Sequence, residues 1–141
     1  MDIKEFKDEH RFLSNFYPAQ VVFEGNIYKT VEHAYQAAKT IDSVQRKDIG
    51  LAKTPGVAKF LGRCVTMRED WLEIKVDVMR KLLAQKFKQP RLRRLLINTF
   101  PYHIQEGNYW NDTFWGVCLK THQGRNMLGK LLVEIRDNIL D

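Results

Sequence analysis

Thr30-Val31-Glu32-His33-Ala34-Tyr35-Gln36-Ala37-Ala38-Lys39 is the stretch on which the reading of this chain turns. Val31, Ala34, Tyr35 and Ala38 recur at i, i+3, i+4 and i+7, the period of one face of an α-helix. Thr30 carries the hydroxyl an N-cap needs, so the helix is expected to start there and run to about Thr40. Glu32, Gln36 and Lys39 fall at i, i+4 and i+7 on a second stripe, adjacent to the apolar one rather than opposite it.

Upstream of this helix, Val21-Val22-Phe23 and Ile27-Tyr28-Lys29 flank Glu24-Gly25-Asn26, a short hairpin turning at Gly25. Downstream, Asp42 or Ser43 can cap a second helix. Thr54-Pro55 starts a third, with Pro55 at its first position and an end near Gly62. Glu69 to Lys88 is the longest helical stretch, with Trp71, Ile74, Val78 and Leu82 facing inward. Pro90 breaks it and opens a short basic helix to about Asn98. Phe114 to Leu119 is expected to be a strand and His122-Gln123-Gly124 a turn. Asn126 is the expected cap of a last helix that points Met127, Leu128, Leu131, Leu132 and Ile135 inward. No repeat or linker interrupts this order. The expected architecture is α+β, a helix-rich single domain over residues 1–141 with a small antiparallel β element.

The 141 residues are 44% hydrophobic, enough for one core. Met1 to Glu9 is charged from its second residue, and no apolar run approaches the roughly 20 residues of a membrane helix. The expected compartment is the cytoplasm, without membrane association. Cys64 and Cys118 form no CxxC pair and read as free thiols. His10, His33, His103 and His122 show no HxxxH or HExxH spacing, so neither a metal site nor a cofactor is expected. A net charge of +6 and a pI of about 9.4 favour an anionic partner. Nucleotides, sugar phosphates and nucleic acid all qualify.

Four constellations carry chemistry. Glu32 sits in the first turn of its helix, where the dipole favours negative charge and lowers its pKa. Such a carboxylate suits stabilising a cation or orienting water; it also serves as a plain dipole complement. Tyr109-Trp110-Asn111-Asp112-Thr113-Phe114-Trp115-Gly116 resembles a pocket wall that stacks a flat ring, or a core plug with a turn at Asn111-Asp112. Gln123-Gly124-Arg125-Asn126 can hold a phosphate through backbone N–H groups and the Arg125 charge, or simply cap the last helix. Lys86, Lys88, Arg91, Arg93 and Arg94 could follow a nucleic-acid backbone, but such runs are more often solvated helix faces, and only Phe87 interleaves them.

In order and spacing, these pieces resemble the YbiA-like, or NADAR, N-glycosidase family. The match runs through Phe12-Leu13-Ser14-Asn15-Phe16-Tyr17-Pro18, the Thr30–Lys39 stretch, Thr54-Pro55-Gly56-Val57-Ala58-Lys59 and Leu61-Gly62-Arg63. It continues through Arg68-Glu69-Asp70-Trp71, Lys86-Phe87, Asp112 with Trp115-Gly116, and Gly124-Arg125-Asn126-Met127-Leu128-Gly129. The resemblance covers nearly the whole chain and implies a helix-rich fold that cleaves ribose–base N-glycosidic bonds. The substrates it implies are phosphoribosylamino intermediates of riboflavin synthesis or ADP-ribose on guanine, including ADP-ribosylated nucleic acid. It makes Glu32 the leading catalytic residue, places Asp112 and Trp115 in the pocket, and adds Asn15, Phe16 and Asn126 as pocket candidates. Members often have glycine where this chain has Cys118, a change that bears on substrate identity more than on reaction type.

Breaking a ribose–base bond builds positive charge at C1 and the ring oxygen, which a fixed carboxylate stabilises. Glu32 is assigned to that cation and to the water. Asp112 could orient hydroxyls or assist proton transfer. Trp115, Trp71 and Phe16 are stacking candidates, and Arg63, Arg125 and Lys53 are phosphate candidates. His33, Gln36 and Gly116 complete the substrate-binding set. Lys39 offers a second route, a Schiff base at C1, which needs the neutral amine. Glu32 on the same stripe should hold the ammonium, which favours direct hydrolysis with Lys39 as a charged positioning group. The competing class is a non-catalytic ADP-ribose or nucleotide reader.

Overall fold

The turn at Gly25 sets the first element. In the computed structural model, which describes residues 2–141, Glu24 and Gly25 both take positive φ, 46° and 85°. Two consecutive positive-φ residues are what a two-residue hairpin loop matched to strand twist requires. Strands β1 (Val21–Phe23) and β2 (Asn26–Tyr28) therefore pair antiparallel, with Val21 opposite Tyr28. The outer edge of β1 is covered by one side chain. Gln85 accepts from the Val22 N–H at 2.8 Å and donates to the Val22 carbonyl at 2.7 Å, standing in for a neighbouring strand.

Helix α1 (Val31–Ala38) starts where the Thr30 hydroxyl accepts the His33 N–H at 3.1 Å. All of its residues are buried, Glu32, His33 and Gln36 included. A helix covered on every side is a core element. Helices α2 (Ser43–Gly50), α3 (Pro55–Gly62) and α4 (Trp71–Lys86) pack against it. Asp42 caps α2 through the N–H groups of Val44 and Gln45, and Thr54 caps α3 through that of Val57. On α4, Trp71, Val78 and Leu82 are buried as predicted and Ile74 half-buried. These elements form one compact unit, Asn15–Lys88.

The other unit takes the chain before Asn15 together with Gln89–Asp141. A 3-10 helix at Asp8–Leu13, which the sequence reading does not anticipate, buries Phe12 and Leu13 and contacts α5 (Pro90–Ile97). Helix α6 (Met127–Leu140) buries Leu128, Leu131, Leu132 and Arg136. The Arg136 guanidinium donates to the Thr99 carbonyl and hydroxyl and, at 2.7 Å, to the Tyr102 carbonyl. Its charge is thus spent on closing the segment after α5, which holds the cis Phe100–Pro101 bond.

The expected strand Phe114–Leu119 shrinks to Val117–Cys118 (β4), which pairs parallel with Gly107–Asn108 (β3). The cause is local. Asp112 Oδ1 accepts the N–H groups of Phe114 (3.2 Å) and Trp115 (2.9 Å), curling the segment into a turn and removing donors a ladder would use. Among the described residues the named strands form one antiparallel hairpin and one parallel pair, not an antiparallel element alone. The class remains α+β and helix-rich. Among the described residues, no helix is long and apolar enough to cross a membrane.

Candidate active site

Glu32 is 8% exposed. Its N–H donates to the Asn15 carbonyl at 3.1 Å, and Gln36 Nε2 donates to its Oε2 at 2.5 Å. With its amide nitrogen committed to the carboxylate, Gln36 turns Oε1 against Gly62, where a Cβ would overlap it. A glycine is needed there because of Gln36. Asn15 Nδ2 reaches Met79 Sδ on α4 at 3.5 Å. Asn15 Oδ1 and Gln36 Oε1 are buried with no hydrogen-bond donor among the described residues. Each such acceptor costs about 1–3 kcal/mol, and native folds keep few of them. Two on the residues that bond Glu32 point to a site that a ligand completes.

Lys39, half-buried at the C-terminal end of α1, holds Nζ 5.7 Å from the Tyr35 ring centroid. Burial pulls its pKa down, Glu32 opposes this, and the charges of Lys59, Arg63 and Lys75 push further down. The expected order of effects is therefore reversed: burial and the cations outweigh the carboxylate. Lys59 and Lys75 are absent from the sequence-derived set. The i, i+4 spacing of Lys59 and Arg63 was the available signal.

The remaining candidates in this unit divide clearly. The Thr30 hydroxyl donates to His33 Nδ1 at 2.8 Å and Nε2 donates to the Ala52 carbonyl at 3.0 Å, so both ring nitrogens are spent on the protein. Burial, with Lys29 adding to it, holds His33 below its usual pKa and keeps the ring neutral. Trp71 is 3% exposed, tilted against Tyr35 at 5.1 Å, and belongs to the core. Phe16 is 42% exposed beside Asn15, while Arg63 and Lys53 are exposed. Lys86, expected on a solvated basic face, is fully buried, its Nζ 5.1 Å from the Phe87 ring and 5.8 Å from that of Tyr17. Its place on the apolar face of α4 removes it from any phosphate-tracking run.

In the other unit, Asp112 is half-buried and anchored by Asn108, whose Oδ1 accepts the Asp112 N–H and whose Nδ2 donates to the Asp112 carbonyl, both at 3.0 Å. Trp115 is half-buried and edge-on to Phe114 at 4.8 Å; Tyr109 and Trp110 are both exposed. A Cβ on Gly116 would run into Glu106, so the glycine makes room for that side chain. The thiol of Cys118 is held below its usual pKa by hydrogen bonds from Thr121 in the following turn. Cys64 and Cys118 are both free.

Before α6, where the sequence offered helix capping by Asn126 or a phosphate cradle, the backbone donors are turned onto the protein. The N–H groups of Arg125, Asn126, Met127 and Leu128 donate to the carbonyls of Thr113, Gly116, Phe114 and Trp115 at 2.7–3.2 Å, so these four are committed to the protein. Asn126 occupies the N-cap position in a left-handed conformation without capping the helix. Its side chain instead accepts from the Glu106 N–H and donates to the Ile104 carbonyl. It also borders a cleft of about 380 Å³ shared with His103 and Lys130. The Arg125 side chain is exposed, its guanidinium 5.7 Å from the Phe114 ring.

A model of the NADAR domain family matches residues 3–140. The chain belongs to that family. The N-glycosidase YbiA of Escherichia coli K12 is 35% identical over 139 residues, covering 94% of this chain and 83% of that protein. An N-glycosidase of Nostoc punctiforme is 38% identical, over 89% of this chain and 83% of its own length. The chloroplastic riboflavin biosynthesis protein PYRR of Zea mays is 37% identical over 90% of this chain, which corresponds to 23% of that protein. The NMR structure of E. coli YbiA superposes with a TM-score of 0.86 at 34% identity, covering 99% of this chain and 84% of that one. This NADAR chain is thus an enzyme of the class that hydrolyses N-glycosyl compounds.

Proposed function

We propose that the enzyme hydrolyses the bond between C1 of a phosphorylated or ADP-linked ribose and a nitrogenous base, with Glu32 as the catalytic carboxylate. The observation that carries this reading is the setting of Glu32: buried, in the first turn of a core helix, fixed by Gln36 and flanked by two unsatisfied amide oxygens. A carboxylate held this way pays little reorganisation as positive charge grows on C1 and the ring oxygen. The C1–N bond breaks with its electron pair going to the base nitrogen. Water adds its oxygen to C1, and its proton ends on the released base. Glu32 stabilises the cation and orients that water. A donor on the sugar, such as a hydroxyl, would complete Asn15 Oδ1 as the site opens to substrate. The cytoplasm is the compartment where such nucleotide-derived substrates are met.

The test is a panel of ribosides, comprising phosphoribosylamino pyrimidines, ADP-ribosylated guanine and their dephosphorylated forms, scored for free-base release. At least one is expected to turn over, and Glu32→Gln should cost on the order of 10²-fold or more in kcat while ligand binding survives. Near-normal turnover by Glu32→Gln would sink the assignment. Ligand binding without turnover of any panel member would favour the non-catalytic reader.

A further inference from the structure

Three elements of the Asn15–Lys88 unit converge on the C-terminal end of α1. The end of α3 meets it where Gly62 backs onto Gln36. The start of α4 meets it where Trp71 tilts against Tyr35. The segment between them is tied to it by the Arg68 N–H, which donates to the Lys39 carbonyl at 2.7 Å. Each element brings cations to this corner: Lys39 closes α1, Lys59 and Arg63 lie one turn apart at the end of α3, and Lys75 stands one turn beyond Trp71. Lys39 senses all three of these charges, and Glu32 is the acid it senses with them. Arg63 is exposed and the three lysines half-buried, so the corner opens to solvent.

We propose that Lys39, Lys59, Arg63 and Lys75 form the subsite for a phosphoryl group of the substrate. The proposal rests on the reading of Glu32 as the catalytic carboxylate and deepens it by saying where the anion lies. Basic groups gathered at one corner repel one another, and an anion placed between them would relieve that repulsion. Arg63 offers a planar fork for two oxygens, and the lysines offer compact point charges. Such an anion would also push the Lys39 pKa back up, against the lowering by burial and by its cationic neighbours.

The test uses the full chain and two readouts. In calorimetric titration with inorganic phosphate and with pyrophosphate, wild type should bind at least one of them, more weakly as salt rises. The Lys59→Gln/Lys75→Gln double variant should lose tenfold or more in affinity, and Lys59→Arg/Lys75→Arg should recover most of it. Lys81→Gln, an exposed lysine on α4, should bind as wild type does. Preference for pyrophosphate would indicate a diphosphate-bearing substrate, and preference for phosphate a monoester. In turnover, the ratio of kcat/KM for a phosphorylated riboside to that for its dephosphorylated form should fall at least tenfold in the double glutamine variant. Undiminished anion affinity in that variant, or an unchanged ratio, would overturn the subsite. If no riboside turns over, the reading of Glu32 fails on its own, and the titrations still decide the subsite.

Discussion

Lys86 offers a stability test whose magnitude follows from its position. The residue is fully buried on α4, and burial pushes its pKa down to about 7 from 10.5. The unfolded chain keeps the ordinary value. Below pH 7 both states hold the proton, and the folded state carries the cost of a buried ammonium less what its contacts return. Between pH 7 and 10.5 the unfolded state binds more protons than the folded one, so stability from this group rises with pH. The slope is about 1.4 kcal/mol per pH unit, which gives a total of order 5 kcal/mol. Faces of Tyr17 and Phe87 near Nζ recover part of this by cation–π attraction, worth about 0.5–2 kcal/mol. Lys86→Met keeps most of the stem and removes the ammonium. By urea unfolding, it should exceed wild type in stability by a few kcal/mol at pH 7. That advantage should shrink by roughly 2–3 kcal/mol between pH 7.5 and 9.5. Taking the difference between the proteins cancels the titration of other groups. An advantage that stays constant with pH would show that Lys86 remains charged in the folded state, and the reasoning from burial would be wrong.

Other predictions test the site groups separately. Gly62→Ala should keep the helical circular dichroism but lower Tm, because the Gln36 side chain it displaces is buried and bonded to Glu32. It should also lower kcat about tenfold by breaking the Gln36–Glu32 bond; unchanged kinetics would show that this bond does not matter. Asp112→Asn keeps the oxygen that accepts from Phe114 and Trp115, so it should fold normally while Asp112→Ala loses about 1–2 kcal/mol on denaturant unfolding. Equal stability of the two would remove Asp112 as the holder of that turn. Borohydride reduction during turnover, read by intact mass, should give no sugar-phosphate adduct on wild type, and Lys39→Arg should keep partial activity. An adduct that vanishes in Lys39→Ala would establish the Schiff-base route instead.

Much of the fold is local in origin and was therefore legible. Thr30, Asp42 and Thr54 cap the helices the sequence assigns to them, because cap and first turn lie within three residues. Gly25 likewise sets its hairpin. The misreadings arise where distant side chains compete for backbone groups. Phe114 to Leu119 has strand composition, yet Asp112 takes two of its N–H groups and the carbonyls of Phe114, Trp115 and Gly116 go to the start of α6. The same bonds take N–H groups that an anion cradle at Gly124-Arg125-Asn126 would use. Periodicity placed Glu32, Gln36 and Lys39 on one stripe but could not show that the stripe is buried, since α2, α3 and α4 supply the cover. Nor could it show that Lys39 feels the charges of Lys59 and Lys75, because that depends on how the helices pack.

The placement of charge along α1 has a consequence for substrate choice. Glu32 lies in the first turn, at the positive end of the helix dipole, and Lys39 at the negative end. Each charge complements the terminus it occupies, so the helix can bury an acid and half-bury a base at less cost than two arbitrary sites would incur. The two positions are separated by about 10 Å of helical rise. A ribose phosphate at its transition state is bipolar in the complementary sense, cationic at C1 and anionic at the phosphoryl end. With C1 at Glu32 and the phosphoryl group near Lys39, both ends are matched by one rigid element, and the distance between them is set by the helix rather than by a loop. A neutral riboside would satisfy only one end and could slide along the stripe. Phosphorylated substrates should therefore gain in kcat as well as in KM, because the anion fixes the register in which the carboxylate faces C1.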